Sequence, residues 1–309
     1  MDEFVSFGQL TIIAMVPYVL AALGTMLAGM TGVFNVAQEG LMALGASVGF
    51  LVSFSLGSRT LGVLVAALAA GLIGLVLAWA TTVLRLDQFV VGLALFFAAI
   101  GIAGLLFRVV VGQSSSTPLV ETIPRLEIPL LSDIRVLGPI LFANNVLVYG
   151  AILLAVGLYF LLYRTRLGLN LRSVGENPKA ADSLGIRVVW SRIWTTTVGA
   201  ALIGIAGAYL PLVYTGTYTE GMVGGRGWLA IALTFFGGWR PQFILAGALF
   251  FAGMDVLALR AEVADVSVPS QLLLVVPYVA TLLVMIFAFR WARVPEFLGR
   301  NYDRESRVG

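Results

Sequence analysis

Apolar residues in this chain gather into long unbroken runs, and polar residues sit mostly between the runs. Nine runs stand out, near residues 9–30, 41–58, 61–84, 88–107, 144–163, 193–215, 228–239, 242–259 and 270–289, the second and seventh marginal. A hydrocarbon core about 30 Å thick needs roughly 20 apolar residues per helix. Only helices and closed barrels can satisfy their backbone groups in it. Runs this continuous predict helices, and therefore an all-α, polytopic membrane protein of about nine transmembrane helices in a single domain, residues 1–309.

Composition agrees: 60% of residues are hydrophobic, 11% are charged and the mean hydropathy is +0.99, whereas about a quarter of a soluble domain is charged. The opening "MDEFVSFGQL" is acidic, without the basic flank of a cleaved signal, so the first run is expected to be a retained span. There is no Cys and no His, which excludes disulfides, thiol chemistry, a histidine proton relay and the usual soft-metal sites. No metal or cofactor is expected.

The net charge of +3 is better read through placement than as a nucleic-acid signal. The tail "RWARVPEFLGRNYDRESRVG" carries Arg290, Arg293, Arg300, Arg304 and Arg307, which marks a cytoplasmic end. Alternation back from it puts the 164–192 loop, Arg85 and Arg240 inside, thirteen of the nineteen basic residues in all. The N-terminus then lies outside. Segment 108–143 holds four prolines and too little continuous apolar sequence to span, so it is expected to form an ordered external cap.

Two Gly-rich turns each follow the first span of a half: "GMTGVFNVAQEGLMALGA" from Gly29 and "GTYTEGMVGGRGWLAIALTFFGG" from Gly216. Glu39-Gly40-Leu41 aligns with Arg226-Gly227-Trp228, and "DQFVVGLALFFAAI" resembles "SQLLLVVPYVATLL". Five spans separate the two starts. The odd number predicts two inverted repeats, about 9–107 and 193–289, unless Gly-rich apolar sequence is matching itself by chance. Inverted repeats place a pathway at their interface and use Gly-interrupted helices to line it. The expected pathway groups are Asn35, Gln38, Glu39, Thr219 and Arg226, with Phe34 and Trp228 as apolar walls. Glu39 and Asp255 are acids in or beside apolar runs, where an unpaired charge is costly, so each needs a cavity or a partner. Both the functional and the structural reading stay open for them.

No phosphate-cradling Gly-Lys-Ser/Thr loop exists: the chain has one lysine, Lys179, and it follows Pro178. If ATP drives this protein, another chain hydrolyses it, and this chain is not expected to be an enzyme. In "RSVGENPKAADSLGIRV", Asn177 suits a helix cap, Pro178 the first helical position and Gly185 a left-handed stop. That predicts a rigid cytoplasmic helix of about two turns, too short to be stable without packing partners. An ordinary solvated loop with one helical turn is the alternative.

Three stretches together resemble the ribose, nucleoside and branched-chain amino acid permease family of bacterial ABC importers: "GVFNVAQEGLMALGA", "RSVGENPKAADSLGI" and "GGRGWLAIALTFFGGWRP". The likeness is nearest to the simple-sugar and nucleoside permeases and covers about residues 20–290. Ala37 stands where the family pattern expects Gly. The resemblance implies a bacterial inner-membrane location, two cytoplasmic ATP-binding subunits, a second and often different permease subunit, and an extracytoplasmic substrate-binding protein. It also implies that Asn177, Pro178, Lys179, Ala180, Ala181, Asp182, Leu184 and Gly185 form a coupling helix seated on the ATPase. The function implied is import of a nucleoside or simple sugar. The rival from the residues alone is an ion-coupled secondary transporter using Glu39 and Asp255; an intramembrane enzyme would lack His, Cys and a clustered acid pair.

Overall fold

In this computed structural model, residues 2–112, 118–129, 131–132, 134–263, 275, 279 and 294–303 are described. The helices in chain order are α1 (Asp2–Gly29), α2 (Gln38–Leu56), α3 (Arg59–Thr82), α4 (Gln88–Val111), α5 (Val146–Arg164), α6 (Arg166–Glu176), α7 (Pro178–Ser183), α8 (Val188–Tyr209), α9 (Arg226–Phe236) and α10 (Pro241–Val263). Side-chain caps start several of them. Ser58, Asp87, Asn145, Thr165 and Asn177 each accept a backbone N–H of the first turn of α3, α4, α5, α6 and α7, which supplies the partner that first-turn donors otherwise lack.

Seven helices are long and apolar enough to cross a membrane among the described residues, and the chain is a polytopic, all-α membrane protein. The seventh expected span is a correction. Its helix, α9, has 11 residues, about 16 Å at the usual rise, half of what a crossing needs. The expected ninth span, 270–289, lies largely outside the described residues.

Contacts nevertheless fix the direction of every described segment. At one end Arg59 meets Glu121 at 2.9 Å, Ile123 N donates to Leu212 O, and Arg260 donates to Glu3 O. At the other end Gly299 N donates to Gly32 O, Tyr163 to Trp239 O, and Arg85 pairs with Asp303 at 3.0 Å. Between Leu212 at the first end and Trp239 at the second, the chain crosses by a Gly-rich turn and the short α9. The second end carries the 164–192 loop, Arg85 and Arg240, the basic side expected from the sequence to be cytoplasmic.

Helices α1 and α8 form the centre. Ile13 O accepts from Tyr209, the Gly24 and Gly199 backbones touch, and Thr31 meets Thr195, so the two run antiparallel. A Cβ on Gly199 would lie 2.3 Å from Gly24 O, and one on Gly207 would lie 1.9 Å from Met42 O. Backbones this close pack through van der Waals contact, the force that joins helices where lipid removes the hydrophobic drive. In α1, 94% of the apolar window is buried, against 17% in α4. The outer helices turn residues such as Phe97, Leu105 and Leu153 outward.

At the first end, the segment expected to form an external cap contains an antiparallel pair, Arg125–Glu127 with Ala143–Asn145, which the apolar pattern does not signal. Helix α8 continues through a wider turn, Leu210–Thr215, that contains Pro211. A proline lacks an N–H and displaces the ordinary ladder.

Candidate translocation site and coupling surface

The two Gly-rich breaks meet. Glu39, at the start of α2, accepts the backbone N–H of Gly225 and of Gly227, both at 2.7 Å. Gly225 is the cap position of α9, in a left-handed conformation at φ +81° and with no side chain to offer. The carboxylate of one half therefore caps the interrupted helix of the other, at the positive end of its dipole. Gly227 makes the approach possible, since a Cβ there would lie 2.7 Å from Glu39 Cα. Gly40 does the same towards α4, where a Cβ would lie 2.5 Å from Phe96 O.

Around this joint sits a small polar cluster. Arg226 donates to Met222 O and Val223 O at 3.3 and 3.0 Å and lies 4.0 Å from Asp255 on α10. Tyr18 of α1 donates to the same Asp255 carboxylate. Asp255 thus has the arginine and the hydroxyl that its position in an apolar run demands.

Asn35 accepts Ala37 N at 2.9 Å within its own turn, and Gln38 bonds to Thr25 of α1. Both are buried, and Asn35 Nδ2 and Gln38 Oε1 have no protein partner among the described residues. Phe34 is half-buried, edge-on to Phe235 with ring centres 6.2 Å apart, and its N–H donates to Gln88. Thr219 is exposed on the external turn, and Trp228 lies on the first turn of α9, 5.6 Å from the Phe96 ring.

A cavity of about 390 Å³ is lined by Arg108 and Glu220 at one extreme and by Glu39 at the other. Its walls are Ala43, a small-residue face of α4 at Gly101, Ala103 and Gly104, and the turn residues Tyr218 and Val223. At its mouth Arg108 and Glu220 pair at 3.1 Å, both largely exposed, a contact worth at most about 1 kcal/mol. Of the seven pathway residues expected from sequence, Glu39 alone lines it; Asn35, Gln38, Phe34, Thr219 and Trp228 do not, and Arg226 folds onto its own turn. The α4 face and Tyr218 were not foreseen. The i, i+3 spacing of Gly101 and Gly104 was the available signal.

At the second end, α7 has six residues, shorter than expected, and α6 precedes it as a separate amphipathic helix. Asn177 Oδ1 accepts Ala180 N at 3.0 Å, and Gly185 is left-handed at φ +83°, the two ends read from sequence. Asn177, Ala180, Leu184 and Gly185 are exposed, Lys179 and Asp182 half-buried, and Pro178 and Ala181 buried. Ala181 packs with Val174, Val188 and Tyr302, so it faces the protein. Leu184 is 81% exposed at the loop apex.

A membrane domain with two helices that each follow a Gly-rich turn and are joined at their N-termini, a cavity ending at that joint and a capped helix at the opposite end has the form of a solute permease. Residues 9–289 match the family described as "Branched-chain amino acid transport system / permease component", and the chain belongs to it. It is 33% identical to the guanosine ABC transporter permease protein NupQ of Bacillus subtilis, over 96% of each chain. The nucleoside ABC transporter permease protein NupC of Lactococcus lactis is 33% identical over 94% of each. A putative glucose ABC transporter permease protein of Haloferax volcanii, TsgC13, is 30% identical over 96% of each. No solved structure matches.

Replacing Glu39 with Ala removes both acceptors from the α9 N-terminus. Bonds to a charged group contribute about 1.5–3 kcal/mol each, so the expected loss is about 3 kcal/mol or more. The detergent-solubilised Glu39→Ala protein should melt well below wild type, and Glu39→Gln, which keeps one acceptor, in between. Unchanged melting in both would refute the capping role.

Proposed function

We propose that this chain is the membrane-spanning subunit of an ATP-driven importer in a bacterial inner membrane, carrying nucleosides. It works with two cytoplasmic ATP-binding subunits, a second permease subunit and an external binding protein. The observation that carries the reading is the outward-opening cavity whose floor is the joint between the two breaks: a solute delivered from outside arrives at the contact that must change for the halves to rock. Permeases named for guanosine and nucleosides among the relatives support the solute class; the glucose-named relative supports simple sugars as the second reading.

The halves, about 9–107 and 193–289, act as inverted copies, supported by the antiparallel course of α1 and α8 and the recurring order of long helix, Gly-rich turn and helix. In this outward-open form Glu39 meets the cavity directly. The spare amide groups of Asn35 and Gln38 become available to a hydroxyl-rich solute once the joint opens inward, with Phe34, Arg226 and Trp228 around that second position and Thr219 on the turn passed on the way in. Contacts are few, as release requires. ATP hydrolysis belongs to the partner subunits, and α7 with its exposed Asn177–Gly185 face docks on them. Competition decides the solute: labelled guanosine uptake should be suppressed by unlabelled nucleosides and untouched by glucose. The opposite pattern would transfer the assignment to sugars.

A further inference from the structure

The described tail, residues 294–303, lies where no transport step has been assigned, and it touches both moving parts. At one end Phe297 N donates to Gly175 O at 2.9 Å, at the end of α6 just before the α7 cap. Tyr302, 8% exposed, packs against Val174 and Ala181, the buried side of that docking loop. Between these, Gly299 N donates to Gly32 O at 3.1 Å, inside the break that leads to Glu39. Gln88 Nε2 reaches both Gly32 O and Arg300 O at 3.4 Å, while its Oε1 accepts Phe34 N at 2.7 Å. Asn301 Nδ2 bonds Arg85 O at 2.6 Å in the turn before α4.

One side chain fastens this arrangement. Arg192, in the first turns of α8, has no exposed surface, yet a buried guanidinium is costly unless its donors are satisfied. Its Nε donates to Thr31 O at 2.9 Å and its Nη1 to Arg300 O at 3.1 Å, while Nη2 has no hydrogen-bond partner among the described residues. It thus bridges the carbonyl end of α1 and the tail. The planar fork can hold two acceptors in fixed directions, which a lysine ammonium does not reproduce. Gly32 gives it room, since a Cβ there would lie 2.7 Å from Nη2 and 2.9 Å from Phe297 O.

We propose that the tail segment 294–303, fastened by Arg192, is a strap that transmits displacement of the docking helix α7 to the Gly-rich break before α2, with Arg192 and Asn301 as positioning residues for energy coupling. The proposal rests on α7 being the ATPase contact. If α7 moves with the ATP-binding subunits, the strap draws Gly32 and Phe34 with it, and so loads the segment that positions Glu39.

The test uses the full complex in proteoliposomes, with ATP hydrolysis, solute uptake and melting read together for Arg192→Lys and the more peripheral Asn301→Ala. Expected is normal co-purification and near-normal hydrolysis, with solute carried per ATP falling at least about fivefold, the scale of a modest coupling energy. Unchanged stoichiometry in both variants would overturn the strap. So would a loss of hydrolysis and uptake in proportion to a drop in melting, because that marks mere structural support. Ala180→Glu in parallel separates the premise: if it spares both docking and uptake, the docking assignment fails and takes the strap with it, whereas an Ala180→Glu defect beside normal Arg192→Lys and Asn301→Ala stoichiometry sinks the strap alone.

Discussion

Gly101→Phe should abolish uptake and leave the protein as stable as wild type. Gly101 lies on α4 and lines the cavity, and a Cβ built there meets nothing within 4 Å. The ring therefore enters open space. Steric cost is low, and replacing a glycine inside a helix removes a penalty of up to about 1 kcal/mol. The filled volume is the approach to Glu39, so solute is stopped while docking of the ATP-binding subunits, on the opposite side of the membrane, is kept. Uptake, co-purification and melting measured on one preparation check this. Wild-type uptake in a stable Gly101→Phe protein would show that solute takes another route.

A second large effect is expected at the cytoplasmic apex. Ala180 is exposed on α7 and is not part of the buried cluster that holds Ala181, so Ala180→Glu should leave melting unchanged. A charge buried against a partner's groove without a counter-charge costs several kcal/mol, enough to lose the ATP-binding subunits on purification and to eliminate uptake. Ala181→Glu would not report the same thing. Ala181 packs against Tyr302 and Val174, and a charge there disturbs the chain's own fold. The two neighbours, equivalent in sequence, separate docking from stability.

That pair illustrates where the sequence was informative. Continuous apolar runs locate α1, α3, α4, α5, α8 and α10 because burial in lipid demands a length the run itself displays. Helix α6 escaped because its residues are amphipathic and polar, and α9 starts two residues before its run but stops at Phe236, ahead of Gly237 and the left-handed Gly238. The caps at Asn177 and Gly185 were legible, being local chemistry. Glu39 was not: its partners lie 186 and 188 residues away, and no local pattern says which helix end a carboxylate will find. Gly227 and Gly40 read only as turn residues until the approaching backbones are seen. The tail's hold on Gly32 and Gly175 is made by backbone groups, which leave no mark on side-chain patterning.

The central claim is that ATP, hydrolysed by partner subunits, drives the movement of solute through this chain, and the rival is an ion gradient acting on Glu39 and Asp255. The structure gives both acids other partners, the α9 N-terminus for one and Tyr18 with Arg226 for the other. The direct measurement is labelled guanosine uptake into proteoliposomes holding the complete complex, with binding protein outside, with and without ATP inside and with ionophores that collapse proton and sodium gradients. Uptake that requires internal ATP and is unaffected by the ionophores is the expected result; uptake without ATP that disappears when the gradients collapse would contradict the account.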